Sequence, residues 1–372
     1  MGELARRYGP AALAWVVVLV VLRPAPTAGR TLVRVCVLGL AVSQTALTPV
    51  VDRALRSVGL TDTDRLTGHV GMLVAVWAGA LVVLRLHDSD VGARLLTAWS
   101  VASGVVMCAL FAAAPDLFAD SPWVMEYCIA YAVAQFPGFV VVVVLCVRQA
   151  RRAPDLALRV GLGLVVAGIV AAMCYLTIRT VVAISPRAGF SFAFGTRYPM
   201  SKALPTTAHL LVLCGVMVPA VAGWVRGRAR YRRLAPLWLA LYRATPEIAL
   251  EPPRRRAPLF PTRLQLYRQV VEIRDGLLLL RPYRDADVVE AARDHTADAG
   301  LRGDHREAAV EAATVAAALR AHERGTPPSR PDDAVSGGRD LASDTEYLCQ
   351  LADAFRDQPL GFTANLRSRT AG

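Results

Sequence analysis

Seven apolar segments, falling roughly at 8–22, 35–51, 66–84, 95–114, 124–147, 160–182 and 204–225, constrain this chain more than any other feature. Most approach the ~20 residues that a helix needs to cross ~30 Å of hydrocarbon. Inside hydrocarbon the backbone must satisfy its own hydrogen bonds, and runs of this length do so as helices. Nearly all charges fall between the runs, as the cost of a charge at bilayer depth requires. The expected fold class is therefore all-α. A seven-transmembrane-helix bundle over residues 1–225 is followed by a small helical cytoplasmic domain over 226–372.

The first segment is the weak one, at about 15 residues. Arg6 and Arg7 before it and the Pro-Ala-Pro-Thr-Ala stretch at 24–28 after it resemble a secretory signal peptide. Arg23 closes the apolar run, however, and no A-x-A cleavage site follows. A short, tilted or bilayer-thinning span is the preferred reading.

Orientation follows from the arginines and lysine of alternate loops. With the tail inside, the inner loops carry Arg23, Arg30, Arg34, Arg85, Arg94, Arg148, Arg151, Arg152 and Arg159, then the cluster Arg226, Arg228, Arg230, Arg232 and Arg233. The outer side carries Arg6, Arg7, Arg53, Arg56, Arg65, Arg187, Arg197 and Lys202, a count of 14 against 8. Positive charge gathers on the cytoplasmic side, so the protein reads as a multi-pass plasma-membrane protein with its N-terminus outside and its tail in the cytoplasm.

Few polar groups enter the membrane. Gln44, Gln135, Tyr175, Arg179 and His209 are the candidates, while His69 and Glu126 fall near the ends of their segments and read as interfacial. An intramembrane arginine suggests function by default, but a small shift of the sixth span makes Arg179 an outer-interface residue that snorkels. His209 and the two glutamines read as hydrogen-bonding glue between helices. Pro137-Gly138 interrupts the fifth segment and Thr48-Pro49 ends the second. The strings Ala41-Val-Ser-Gln44 and Ala132-Val-Ala-Gln135 match, a slight hint of an inverted repeat of the kind transporters use.

The boundary stretch organises the tail. Residues 226–256 carry nine basic groups and two acidic ones, which favours anionic membrane lipids as partner over nucleic acid. Leu234, Leu237, Trp238, Leu241 and Tyr242 fall at i, i+3, i+4, i+7 and i+8, the apolar face of an interfacial helix at 235–244 that Pro236 would begin. Arg226, Arg228, Arg230, Arg232, Arg233 and Arg243 are the lipid-headgroup candidates beside it. A Pro- and Arg-rich linker at 251–258 comes next. Leu266, Val270, Ile273, Leu277 and Leu280 then step by 4, 3, 4 and 3 along the most regular helix of the tail, with Arg268 and Glu272 paired on its flank. Gly276 inside it should serve close packing, since glycine costs a helix about 1 kcal/mol against alanine. Asp285 or Asp287 suits the cap of one further helix and Asp304 that of the next. Residues 326–338 read as a flexible linker, and Asp340 opens a last helix with Leu341, Leu348, Leu351 and Phe355 on one face.

No catalytic motif stands out: there is no HExxH, no G-x-S-x-G and no Walker A. Six of the seven cysteines lie in apolar segments, and no Cys and His fall at zinc spacing. The chain is expected to be no enzyme and to need no cofactor or metal.

The tail carries Leu234-Ala-Pro-Leu-Trp238, Pro246-Glu-Ile248, Leu250-Glu-Pro-Pro253, Leu266-Tyr-Arg268, Val271-Glu-Ile-Arg-Asp-Gly276 and Leu280-Arg-Pro-Tyr283. These motifs resemble the shared tail of an actinobacterial family of multi-pass membrane proteins that carry a transporter label and a C-terminal domain of unknown function. The resemblance implies a plasma-membrane location and an actinobacterial source, and it says little of activity. Two readings follow. One is a sensor or scaffold that relays the state of the membrane domain to a cytoplasmic protein partner. The other is a transporter of a small solute, which would normally need more buried polar groups. A homo-oligomer is compatible with both.

Overall fold

The computed structural model describes residues 2–21, 28–113, 123–185, 187–189, 198–250, 262–326, 330 and 340–357, with backbone alone for 2–7, 20–21, 28–30 and 198–203. Among them every regular element is helical. Residues 24–27 of the proline-containing stretch, the linker read at 251–258 and most of that at 326–338 lie outside the described residues, as do Arg23, Arg197 and most of the loop between the sixth and seventh segments. The chain divides into two compact units, Met1–Val221 and Ala222–Gly372.

In the first unit the helices are α1 (Gly2–Val21), α2 (Ala28–Ala46), α3 (Pro49–Ser57), α4 (Thr63–Arg85), α5 (Asp90–Ala113), α6 (Val124–Arg152), α7 (Leu156–Ile184) and the first part of α8 (Tyr198–Ala244). Among the described residues, helix covers most of each of the seven apolar segments. Five helices among the described residues are long and apolar enough to cross a membrane, and six if Thr31–Ala46 and Pro49–Ser57, bent by 67°, form one broken span. The apolar part of α1, Tyr8–Leu19, is shorter. Thr48-Pro49 does end α2, since proline removes a donor and disfavours helix in the residue before it. Pro137-Gly138, in contrast, does not interrupt α6, which runs through it. In α6 the glycine is what α4 needs: a Cβ on Gly138 would stand 2.5 Å from Val76 Cγ1.

Small residues bring the other helices together. A Cβ on Gly39 of α2 would meet the Gly71 carbonyl of α4 at 2.7 Å. On Gly161 of α7 and Gly215 of α8, each would meet the other's carbonyl at 2.6 Å. Between apolar helices in an apolar solvent, close backbone approach supplies the dispersion contact that water-driven burial cannot. Many large apolar side chains, among them Val101, Val105 and Val106 of α5, face outward, as lipid would allow and water would not favour.

The second unit is built from the end of α8, α9 (Arg263–Leu279), α10 (Ala286–Asp298), α11 (Gly303–Arg324) and α12 (Leu341–Asp357). Its core joins Leu234, Leu237 and Leu241 of α8 to Val270, Ile273 and Leu277 of α9, Val315 and Leu319 of α11, and Leu348 and Leu351 of α12. Thr262 and Gln265 form a capping box at the start of α9, and the Asp285 carboxylate accepts from the Asp287 amide at the start of α10 (3.1 Å). α11 starts one residue before Asp304, which makes no cap, and ends at Gly325 with φ +63°. α12 turns Leu348 and Leu351 inward and leaves Leu341 exposed, unlike the expected face. Gly276 meets its expectation: a Cβ there would lie 3.2 Å from Leu241 Cβ and from Ile248 Cδ1.

Candidate functional site

The boundary stretch departs most from expectation. Pro236 does not begin a helix, because α8 continues from Tyr198 to Ala244. Leu234, Leu237 and Leu241 are wholly buried, with Trp238 packed against the same core. The face expected to lie on lipid is therefore the face that closes the tail's own core. Both uses demand the same periodicity, and the structure gives it to α9, α11 and α12. The Trp238 indole donates to the Glu272 carboxylate (2.7 Å), and its ring stacks on Tyr242 at 5.7 Å. Glu272 is itself buried and also accepts from the Leu250 amide (3.4 Å), so it is no surface flank for Arg268.

Two of the headgroup candidates have acidic partners inside the tail. Arg233 bonds Asp353 (2.7 Å) and lies 3.7 Å from Glu346, and Arg230 reaches Glu346 at 3.5 Å. Arg232 and Arg243 are exposed, as is Arg226, whereas Arg228 is half-buried. Deeper in the unit Arg284 and Glu311 form a two-pronged pair at 2.6 and 3.0 Å with both side chains nearly buried. Arg274 grips Asp344 through two nitrogens and lies over the Tyr347 ring. Burial in this core pushes the Cys349 thiol up to about 11, which leaves it protonated and inert at neutral pH.

In the first unit the structure assembles a polar cluster where the first turns of α4 and α6 meet the last turns of α7. His69 Nδ1 is 3.0 Å from the Tyr127 hydroxyl, and the His69 ring stacks on Tyr131 at 4.2 Å. Gln135 continues the same face of α6 one turn beyond Tyr131. It is wholly buried, and among the described residues neither of its amide atoms has a partner at good hydrogen-bonding geometry. Arg179 of α7 is half-buried and close enough to His69, Cys128 and Tyr175 to act on each electrostatically. Glu126 pairs with Arg187 at 2.6 Å at the rim. Of the five membrane candidates, Gln135, Tyr175 and Arg179 thus belong to one region. The sequence places none of His69, Tyr127 and Tyr131 in it. The i, i+4, i+8 spacing of Tyr127, Tyr131 and Gln135 was the available signal. Gln44 is half-buried on α2 and makes no hydrogen bond to a described residue. His209 contacts the Pro205 carbonyl of its own helix, and its buried Nε2 has no partner among the described residues.

A cleft of about 380 Å³ lies beside this region, lined by Trp99, Ala132, Phe136, Pro137, Thr177 and Thr180 among others. It is apolar apart from the two threonines. Among the described residues no group of His, Cys, Asp and Glu could hold a metal ion.

These features define a class: an all-α chain with several membrane-type helices, joined to a helical unit that has its own core. Residues 223–357, within that second unit, match a family of unknown function, DUF6545. No curated protein and no solved structure matches the chain. The tail motifs that carry the resemblance all fall inside the matched residues. Nothing matched supports the transporter label or the actinobacterial source.

Proposed function

We propose that the protein is a plasma-membrane sensor or scaffold, with seven spans, its N-terminus outside and the DUF6545 unit in the cytoplasm, where it binds a protein partner. One observation carries the reading: α8 contributes to both units without a break. Gly215 sits in the close seam with α7, and Leu234, Leu237 and Leu241 sit in the tail core. A shift in the membrane helices that moves Gly215 along α7 also strains the packing around Leu237, because an intact helix transmits axial displacement. The positive loops support the orientation. The absence of catalytic motifs supports a role without chemistry of its own.

Affinity purification of the tagged, full-length protein from its native membrane tests this. A stoichiometric cytosolic protein is expected, and its recovery should change when the seam is disturbed by Gly215→Leu. Recovery that is indifferent to the seam would remove the relay.

The polar cluster of His69, Tyr131, Gln135 and Arg179 favours a second reading, transport of a small solute, in line with the transporter label of the resemblance. Its mark would be a co-purifying solute, lost on Gln135→Leu, with no protein partner.

A further inference from the structure

α9 is apolar on two faces. One closes the tail core through Val270, Ile273, Gly276 and Leu277. The other carries Leu264, Tyr267, Val271 and Leu278, which are 63%, 49%, 37% and 53% exposed. Their spacing of 3, 4 and 7 places them in one stripe, about 21 Å long at 1.5 Å per residue. A helix with two separate apolar faces ordinarily has something against each.

We infer that this stripe is the contact between two copies of the chain, with their α9 helices antiparallel across a two-fold axis at Val271. The stripe matches itself under that operation. Leu264 of each copy meets Leu278 of the other, and Val271 meets Val271. The charges agree. Arg268 and the exposed Asp275 lie on the same flank, seven residues apart. In antiparallel helices each flank meets its own counterpart, so Arg268 of one copy faces Asp275 of the other, twice by symmetry. A parallel pair would set this flank against Tyr267 and Arg274 instead. One helix pair is a small interface by the standards of free association. Two copies confined to one membrane gain the effective concentration that makes it sufficient. The inference uses the membrane location but not the relay, so the dimer and the relay stand or fall separately.

Cysteine cross-linking of the full-length protein in its native membrane tests the geometry. Val271→Cys should form a disulfide-linked dimer on mild oxidation, well above the wild-type background. Leu264→Cys co-expressed with Leu278→Cys should cross-link, while Leu264→Cys alone should not. In detergent, Val271→Asp should lower the dimer fraction about tenfold, as expected for a charge at the centre of an interface. Asp275→Arg should weaken the dimer, and adding Arg268→Glu should restore it. Absence of a Val271→Cys dimer, as a lipid surface or a different protein on this face would produce, overturns the inference. So does Leu264→Cys cross-linking to itself as readily as to Leu278→Cys.

Discussion

At the scale of single residues, the tail depends on charged groups taken out of water in pairs. Arg284 and Glu311 satisfy each other with two hydrogen bonds in a nearly buried setting. Removing one partner leaves a buried, uncompensated charge, which typically costs about 3–5 kcal/mol. Glu311→Ala should therefore lower the unfolding midpoint of the tail sharply. Replacing both residues with apolar side chains (Arg284→Met with Glu311→Leu) should recover most of the loss, as followed by thermal unfolding of the full-length protein in detergent. Leu237→Asp distinguishes a core position from a lipid-facing one. It should unfold the tail outright, whereas an interfacial helix would merely bind membrane less well. Protease sensitivity of residues 262–326 reads the difference. Asp340 adds a pH dependence. The Ser343 amide and hydroxyl hold its carboxyl below the usual carboxylate range at the start of α12. Its folded value is depressed, so the stabilisation is complete above the ordinary carboxylate pKa and disappears as the pH falls through the lowered one. Amide exchange at Ser343 should accelerate in that acid window, and Asp340→Ala should remove the pH dependence.

At the scale of elements, glycines decide which helices touch. Gly276→Ala gains about 1 kcal/mol of helix propensity. It also presses a methyl against Leu241 Cβ, which α8 holds fixed. Overpacking of this kind costs about 1–3 kcal/mol. The net effect should be destabilising by about 1 kcal/mol, seen as a lower midpoint in denaturant. The α7–α8 seam tolerates less, because a Cβ on Gly215 would run into a backbone carbonyl that cannot swing away. Gly215→Leu should force the two helices apart. A cysteine pair placed across the seam should then lose its cross-link while the core around Ile273 in the tail stays folded.

At the scale of the whole molecule, the proposed topology makes a direct prediction. Reporter fusions after Arg65, Arg151 and Arg243 should read outside, inside and inside, in keeping with the 14-to-8 count of basic loop residues. An external reporter at Arg151 would reverse the bundle and remove the cytoplasmic partner from reach of the tail.

Hydropathy and periodicity alone revealed the long apolar helices among the described residues, the regular helix at Leu266–Leu280 and a cap at Asp285 or Asp287, because hydrocarbon length, the 3.6-residue repeat and cap chemistry act locally along the chain. They could not tell what an apolar face packs against. Leu234, Leu237 and Leu241 have the spacing of a membrane-surface helix and of a core helix alike, and only the presence of α9, α11 and α12 around them chose the core. Pro137 reads as a break, yet α6 continues, since the neighbouring Gly138 admits α4 and packing outweighs a local preference. His69 reads as an interfacial histidine, and tertiary packing placed it on Tyr127 and Tyr131. Partner choice between segments far apart in sequence depends on the three-dimensional fit of whole surfaces, and no local pattern encodes that fit.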